Sequence, residues 1–157
     1  MRAPLEVAFV VNSDGWPDGL ESRADTAIHE ALTQSKAKVA GVAEVTVVLT
    51  DDAEQQQLNQ QWRGFDKSTN VLSFPQLEPF TPVVGLVGDI TLARETVEAE
   101  AAEMRITLEA HFTHLVVHGF LHLLGYDHIE EADAVTMESL ETKILASLGI
   151  ADPYADS

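Results

Sequence analysis

Apolar residues recur along the chain at two spacings, and their alternation predicts the order of elements. Leu5 to Val11 is a short apolar run, rich in β-formers at its end, and predicts a first strand. Residues 12–19 are turn chemistry throughout, with Asn, Ser, Asp, Gly and Pro clustered around Trp16. Leu20, Ala24, Ala27, Ile28, Ala31 and Leu32 then follow helical spacing as far as about Lys36. Val42 to Thr50, dominated by Val, Thr and Leu, predicts a second strand. Asp51 or Asp52 can cap a helix that runs to about Trp62, with Gly64 just past its end. A polar connection over 65–70 leads into a short strand at Val71–Phe74.

Pro75, Pro79 and Pro82 mark an irregular loop, a candidate rim or lid over a site. Val83 to Leu92 predicts a further strand and Arg94 to Met104 a helix. Thr107 is positioned to cap a long helix ending at Gly125, whose apolar residues surround it on most sides, as in a helix buried at the centre of a domain. Glu131 to Leu148 reads as a last amphipathic helix, with a tail from about 151. The order β-α-β-α-β-β-α-α-α predicts an α+β class: a mixed sheet of about four strands packed with about five helices, in one domain over 1–157. The two adjacent strands can pair as an antiparallel hairpin, and the earlier ones, joined through helices, can run parallel.

Composition adds bounds. A 45% hydrophobic chain with 22% charged residues is ordinary for a globular protein. No stretch approaches the ~18 uninterrupted apolar residues of a membrane span, and the first residues lack a signal-peptide pattern. The absence of Cys excludes disulfides and thiolate metal sites and fits a cytoplasmic protein. A net charge of −17 argues against coating nucleic acid through a broad basic face but leaves room for a local site. Arg63, Lys67, Arg94 and Arg105 fall mid-chain, and after His128 the only basic residue is Lys143. Most of the acid in that last stretch reads as solvated helix surface.

The chemistry concentrates in 118–128, His-Gly-Phe-Leu-His-Leu-Leu-Gly-Tyr-Asp-His. His118 and His122 lie one turn apart on one helix face, so both imidazoles can reach one ion. Gly125 offers a helix stop, and the reversal after it can return His128 toward the same point. Three neutral imidazoles make an open site of the kind in which zinc keeps a position for water. His114 shares the stripe, but at ~1.5 Å rise per residue it stands about 12 Å along the axis from His122. Zinc–nitrogen bonds are only ~2.0–2.1 Å, so His128 is the better third ligand. His114 is then a catalytic group that either faces the substrate or supports a ligand from behind, or is simply packed. His111 and His29 have no identifiable partner and read as packed residues. The same spacing occurs in metzincin proteases, where a Glu after the first His is the general base. Here Gly119 occupies that position, which disfavours peptide hydrolysis.

The stretch 118–128, taken with Trp62-Arg63-Gly64 and Lys67-Ser68-Thr69-Asn70-Val71-Leu72-Ser73-Phe74-Pro75, resembles the YbeY family of metal-dependent endoribonucleases. The resemblance extends through Gly88-Asp89-Ile90, Glu109-Ala110-His111 and Asp152-Pro153-Tyr154, covering most of the chain from about Leu58. It implies one zinc ion per chain on His118, His122 and His128, and an important arginine at Arg63. It also implies cleavage of single-stranded RNA, with a role in small-subunit ribosomal RNA maturation and ribosome quality control. Ribosomal proteins or an assembly GTPase are candidate protein partners, and no membrane is involved. Beside that resemblance, the residues keep their own readings. Arg63 is shaped for bidentate phosphate contact, or serves a helix end. Lys67, Ser68 and Thr69 can position phosphate oxygens, or form a polar loop. Asp127 can orient a ligand imidazole, or cap a turn. The competing functions are a metallohydrolase of another substrate class and a non-catalytic ribosome-assembly factor with a structural metal.

Overall fold

The computed structural model describes residues 4–64, 69–127 and 130–153. Four strands form one sheet: β1 (Leu5–Val11), β2 (Val39–Thr50), β3 (Val71–Pro75) and β4 (Val83–Ala93), in the order β1-β2-β4-β3. The β1–β2 and β2–β4 pairs are parallel and β3–β4 is antiparallel, so the sheet is mixed, as the connections require. The helices are α1 (Leu20–Ser35), α2 (Asp52–Arg63), α3 (Arg94–Met104), α4 (Leu108–Leu124) and α5 (Glu131–Ser147). Strand β2 starts at Val39, three residues before the alternation in its sequence does. Pairing with β4 extends it across a register shift between Val39 and Ala43.

The caps follow the sequence. Asp51 accepts a hydrogen bond from the Glu54 amide at 2.9 Å, and Gly64 closes α2 in the left-handed conformation. Thr107 accepts from the Ala110 amide at 3.1 Å and starts α4. His29 is structural: its two ring nitrogens lie 2.9 Å from the Asp25 carbonyl and 3.0 Å from the Leu5 carbonyl, tying α1 to β1.

Helix α4 is the hub. Between His111 and Leu124 every residue is buried except His114, His118 and His122. Apolar surface thus surrounds the helix on every side but one, and the histidine stripe fills the gap. Its buried side chains pack on β3, β4, α1, α3 and α5. Residues next to each other on a strand face opposite ways. Ile90 meets α4, whereas the Thr91 hydroxyl bonds Gln55 of α2 at 2.9 Å, so α2 lies across the other face of the sheet.

Gly119 sets how closely α4 approaches the sheet. A Cβ built there would stand 2.9 Å from Ile90 Cγ2 and 3.2 Å from Ser73 Oγ. Ser73 also donates to the Gly119 carbonyl at 3.0 Å. There is no room for the acid that a metzincin carries at this position. Replacing Gly gains up to ~1 kcal/mol of helix propensity, but overpacking a tight contact costs about 1–3 kcal/mol. Gly119→Ala is therefore expected to lower stability modestly, and Gly119→Glu, which adds a carboxylate in the same contact, by several kcal/mol more. Urea denaturation of the two variants checks this; a Gly119→Glu protein as stable as the parent would refute it.

Candidate active site

Sequence spacing places His118 and His122 on one face, and the structure brings their Nε2 atoms to 3.0 Å from each other. That separation is shorter than two zinc–nitrogen bonds of ~2.0–2.1 Å laid end to end, so one ion can touch both. The rest of the local chemistry prepares His118 for this. Its Nδ1 lies 2.5 Å from Oε1 of Glu141, a carboxylate on α5 with no exposed surface. Against an ionised carboxylate, which only accepts, His118 donates from Nδ1 and keeps its Nε2 lone pair on the side of His122. A carboxylate behind a metal-binding imidazole fixes both tautomer and ring orientation.

The second oxygen of Glu141 faces His114 Nε2 at 3.4 Å. One buried carboxylate thus holds two members of the stripe, 15% and 22% exposed. His114 does not share the space between His118 and His122. It lines a neighbouring hollow of about 390 Å³ together with Asn70, Glu100, His111 and His118. Most of the acid of the last helix reads from sequence as solvated surface, and Glu141, with no exposed side chain, is an exception that sequence did not single out. Its position in the helical period gave the only available signal: Met137, Glu141, Ile144 and Leu145 are the buried residues of α5, one apolar stripe interrupted by a charge.

Arg63, from the end of α2, lines a cleft of about 530 Å³ with Thr69, Asn70, Ser73, His118 and His122. A residue at a helix end and the stripe of α4 are thereby brought to one opening. Asn70 is anchored: its amide donates to Glu100 at 2.9 Å, and its side-chain oxygen accepts from the Val71 amide at 2.7 Å. His128, Lys67 and Ser68 lie outside the described residues. Among the described residues no group of three or more His, Asp or Glu side chains converges on a point; two of the three expected metal ligands are present and paired.

Gly125 ends α4 with φ 118°, and a Cβ there would meet Pro79 at 2.9 Å. The proline loop is thus seated on the end of α4, with the Phe80 amide donating to the Leu124 carbonyl at 2.8 Å. Its rim role falls to Pro75, which lines the cleft. Asp127 lines a different, smaller hollow with Phe80, Tyr126 and Asp133. Among the described residues no helix is long and apolar enough to cross a membrane.

His111, read as packed, is 4% exposed and donates from Nε2 to Glu100 at 2.8 Å, while its Nδ1 is buried with no partner.

Comparison with known proteins identifies the family. The profile of the family described as "Endoribonuclease YbeY" matches residues 13–149. Proteins bearing that name from Allorhizobium ampelinum and Bradyrhizobium sp. are 49% and 48% identical, covering 96% and 94% of this chain and 95% and 90% of their own. A relative of the same name from Rhizobium meliloti is 46% identical over 97% of this chain and 96% of its own. The solution structure of TM1509 from Thermotoga maritima superposes with a TM-score of 0.58 at 26% identity, covering 94% of this chain and 98% of that one.

The buried imidazole of His111 generates a pH dependence. Burial pushes its pKa below the ordinary value near 6.5, and Glu100 pulls it partly back. The native state therefore binds this proton less readily than the unfolded chain. Its stabilising contribution is complete above about pH 6.5 and is lost as pH falls through the lower folded value. With chelator present throughout, His111→Gln should show a shallower loss of stability between about pH 7 and pH 5 than the parent. Equal slopes would place the titration elsewhere.

Proposed function

The chain belongs to the YbeY family, and from that premise we propose that it is a zinc-dependent endoribonuclease that cuts single-stranded RNA in small-subunit ribosomal RNA maturation. The observation that carries the reading is the pairing of His118 and His122 at 3.0 Å in a cleft that Arg63 also lines. His118, His122 and His128 would hold the ion, a donor set that suits zinc and leaves a position open. A bound zinc ion supplies Lewis acidity and the means to ionise water near neutral pH.

The protein's own groups do the rest. Glu141 holds the His118 proton at Nδ1 and keeps Nε2 available. His114, on the other oxygen of the same carboxylate, acts through Glu141 and orients it. Arg63 presents a planar fork that matches two phosphate oxygens, which a point charge does not. Thr69 adds a hydroxyl to the same wall, and Lys67 and Ser68 are proposed to extend it. Asp127 is proposed to orient His128. On a chain of net charge −17 the positive charge for a phosphodiester has to be local, and Arg63 would supply it beside the ion.

The purified protein should hold about one zinc per chain by elemental analysis. His118→Ala, His122→Ala and His128→Ala should lose it, and His114→Ala should keep it. Glu141→Gln should weaken zinc affinity by ~10–100-fold, the scale of losing a carboxylate behind a ligand imidazole. Full zinc retention by His128→Ala with loss in His114→Ala would overturn the ligand set. With a defined RNA, Arg63→Ala should cut cleavage by ~10²-fold or more at unchanged zinc content and melting temperature. Arg63→Lys should restore part of the rate. An Arg63→Ala protein that is destabilised but cleaves normally would make the arginine structural.

A further inference from the structure

On the far side of Arg63 lies a second groove of about 690 Å³, roomier than the histidine cleft. It shares Arg63, Ser73 and Pro75 with the histidine cleft, so the two openings are continuous around the edge strand β3. Its walls differ in kind from those of the cleft. Trp62 stands beside Arg63 with 65% of its surface exposed, an unusual state for the largest apolar side chain. Leu58 and the half-buried Phe74 extend the apolar wall. The polar groups are Asn12, Gln76 and two carboxylates, Glu54 and Asp89.

These carboxylates are not equivalent. Glu54 is engaged, accepting from the Thr50 hydroxyl at 2.6 Å and from the Asn12 amide at 3.5 Å. Asp89 has no hydrogen-bond or ion-pair partner among the described residues, although it is only partly exposed. A groove with this lining repels phosphate and accepts hydrogen-bond donors. It also offers an aromatic face. A nucleobase is flat, stacks on indole whatever its sequence, and, when it carries an exocyclic amino group, donates to a carboxylate as cytosine N4 does. The volume lies within the usual range for small-molecule sites.

We infer that this groove is a nucleobase subsite: it takes the base of a nucleotide flanking the phosphate held at Arg63, stacked on Trp62, with Asp89 favouring bases that carry an exocyclic amino group. The inference rests on the endoribonuclease reading for the placement of the phosphate. It adds a division of labour across Arg63, with the backbone bound on one side and a base read on the other.

The test uses the full chain reconstituted with zinc. Three fluorescein-labelled oligomers of equal length are titrated by anisotropy, with their integrity checked on gels: oligocytidine, oligouridine and an abasic ribose-phosphate strand. Trp62→Ala should weaken oligocytidine binding by ~10-fold or more, the scale of losing one base–aromatic stack. Its affinity for the abasic strand should be unchanged, and Trp62→Phe should keep most of the parent affinity. Asp89→Asn should shrink the preference for oligocytidine over oligouridine. Because Trp62 is exposed, an unchanged melting temperature is expected in each variant. Equal affinity of Trp62→Ala and parent for oligocytidine overturns the subsite, and so does equal weakening toward the abasic strand. Cleavage measured in parallel separates the two readings. Trp62-dependent base binding without cleavage leaves the subsite standing and removes the endoribonuclease. Cleavage with KM indifferent to Trp62 does the opposite.

Discussion

A carboxylate with no exposed surface has to be matched by donors, and the site depends on how Glu141 is matched. Losing one partner of a buried charge leaves the other uncompensated, at a cost of ~3–5 kcal/mol. Glu141 therefore ties α5 to α4 through His118 and His114. The same contacts decide which nitrogen of His118 is bare. Fold stability and ligand chemistry are set by one group, so neither can drift far without the other. Shared carboxylates of this kind also couple the imidazoles they hold, and deletions of His114 and His118 should not add independently.

The sheet side of α4 imposes the complementary constraint. Gly119 lets the helix settle against Ile90 and Ser73, which brings His118 and His122 to the level of β3 and within reach of the cleft that Arg63 enters. The stripe cannot rotate away, because every other face of α4 between His111 and Leu124 is buried. Side chains that are to act together at one point need rigid placement of this sort.

Much of this was legible in the sequence, for local reasons. The caps at Asp51 and Thr107, the stop at Gly125 and the β-rich apolar runs of β1 and β4 are decided by neighbours in the chain. The histidine pair followed from helical geometry alone. Glu141 was not legible, because whether a helix acid faces water or a histidine depends on how α5 docks, a tertiary fact. The Asn70–Glu100–His111 chain was missed for the same reason, as its members come from three separate segments. The start of β2 was placed late because Lys38 and Gly41 break the apolar pattern that its pairing with β4 overrides. The groove beside Trp62 arises where α2 leaves part of a sheet face uncovered, which no local pattern encodes.

The termination of α4 has an electrostatic consequence. A helix carries roughly half an elementary negative charge at its C-terminal end, from carbonyls without intrahelical partners. His122 lies in the last turn of α4, so this end favours a cation beside it and disfavours an anion. The Leu124 carbonyl is taken by the Phe80 amide, yet the axial dipole of the seventeen-residue helix remains. A polyanionic strand approaching along the helix axis meets like charge, added to that of a strongly acidic chain. Approach through the cleft that Arg63 lines meets a cation instead. The direction in which a strand can enter is thus written into the polarity of the helix that carries the histidines.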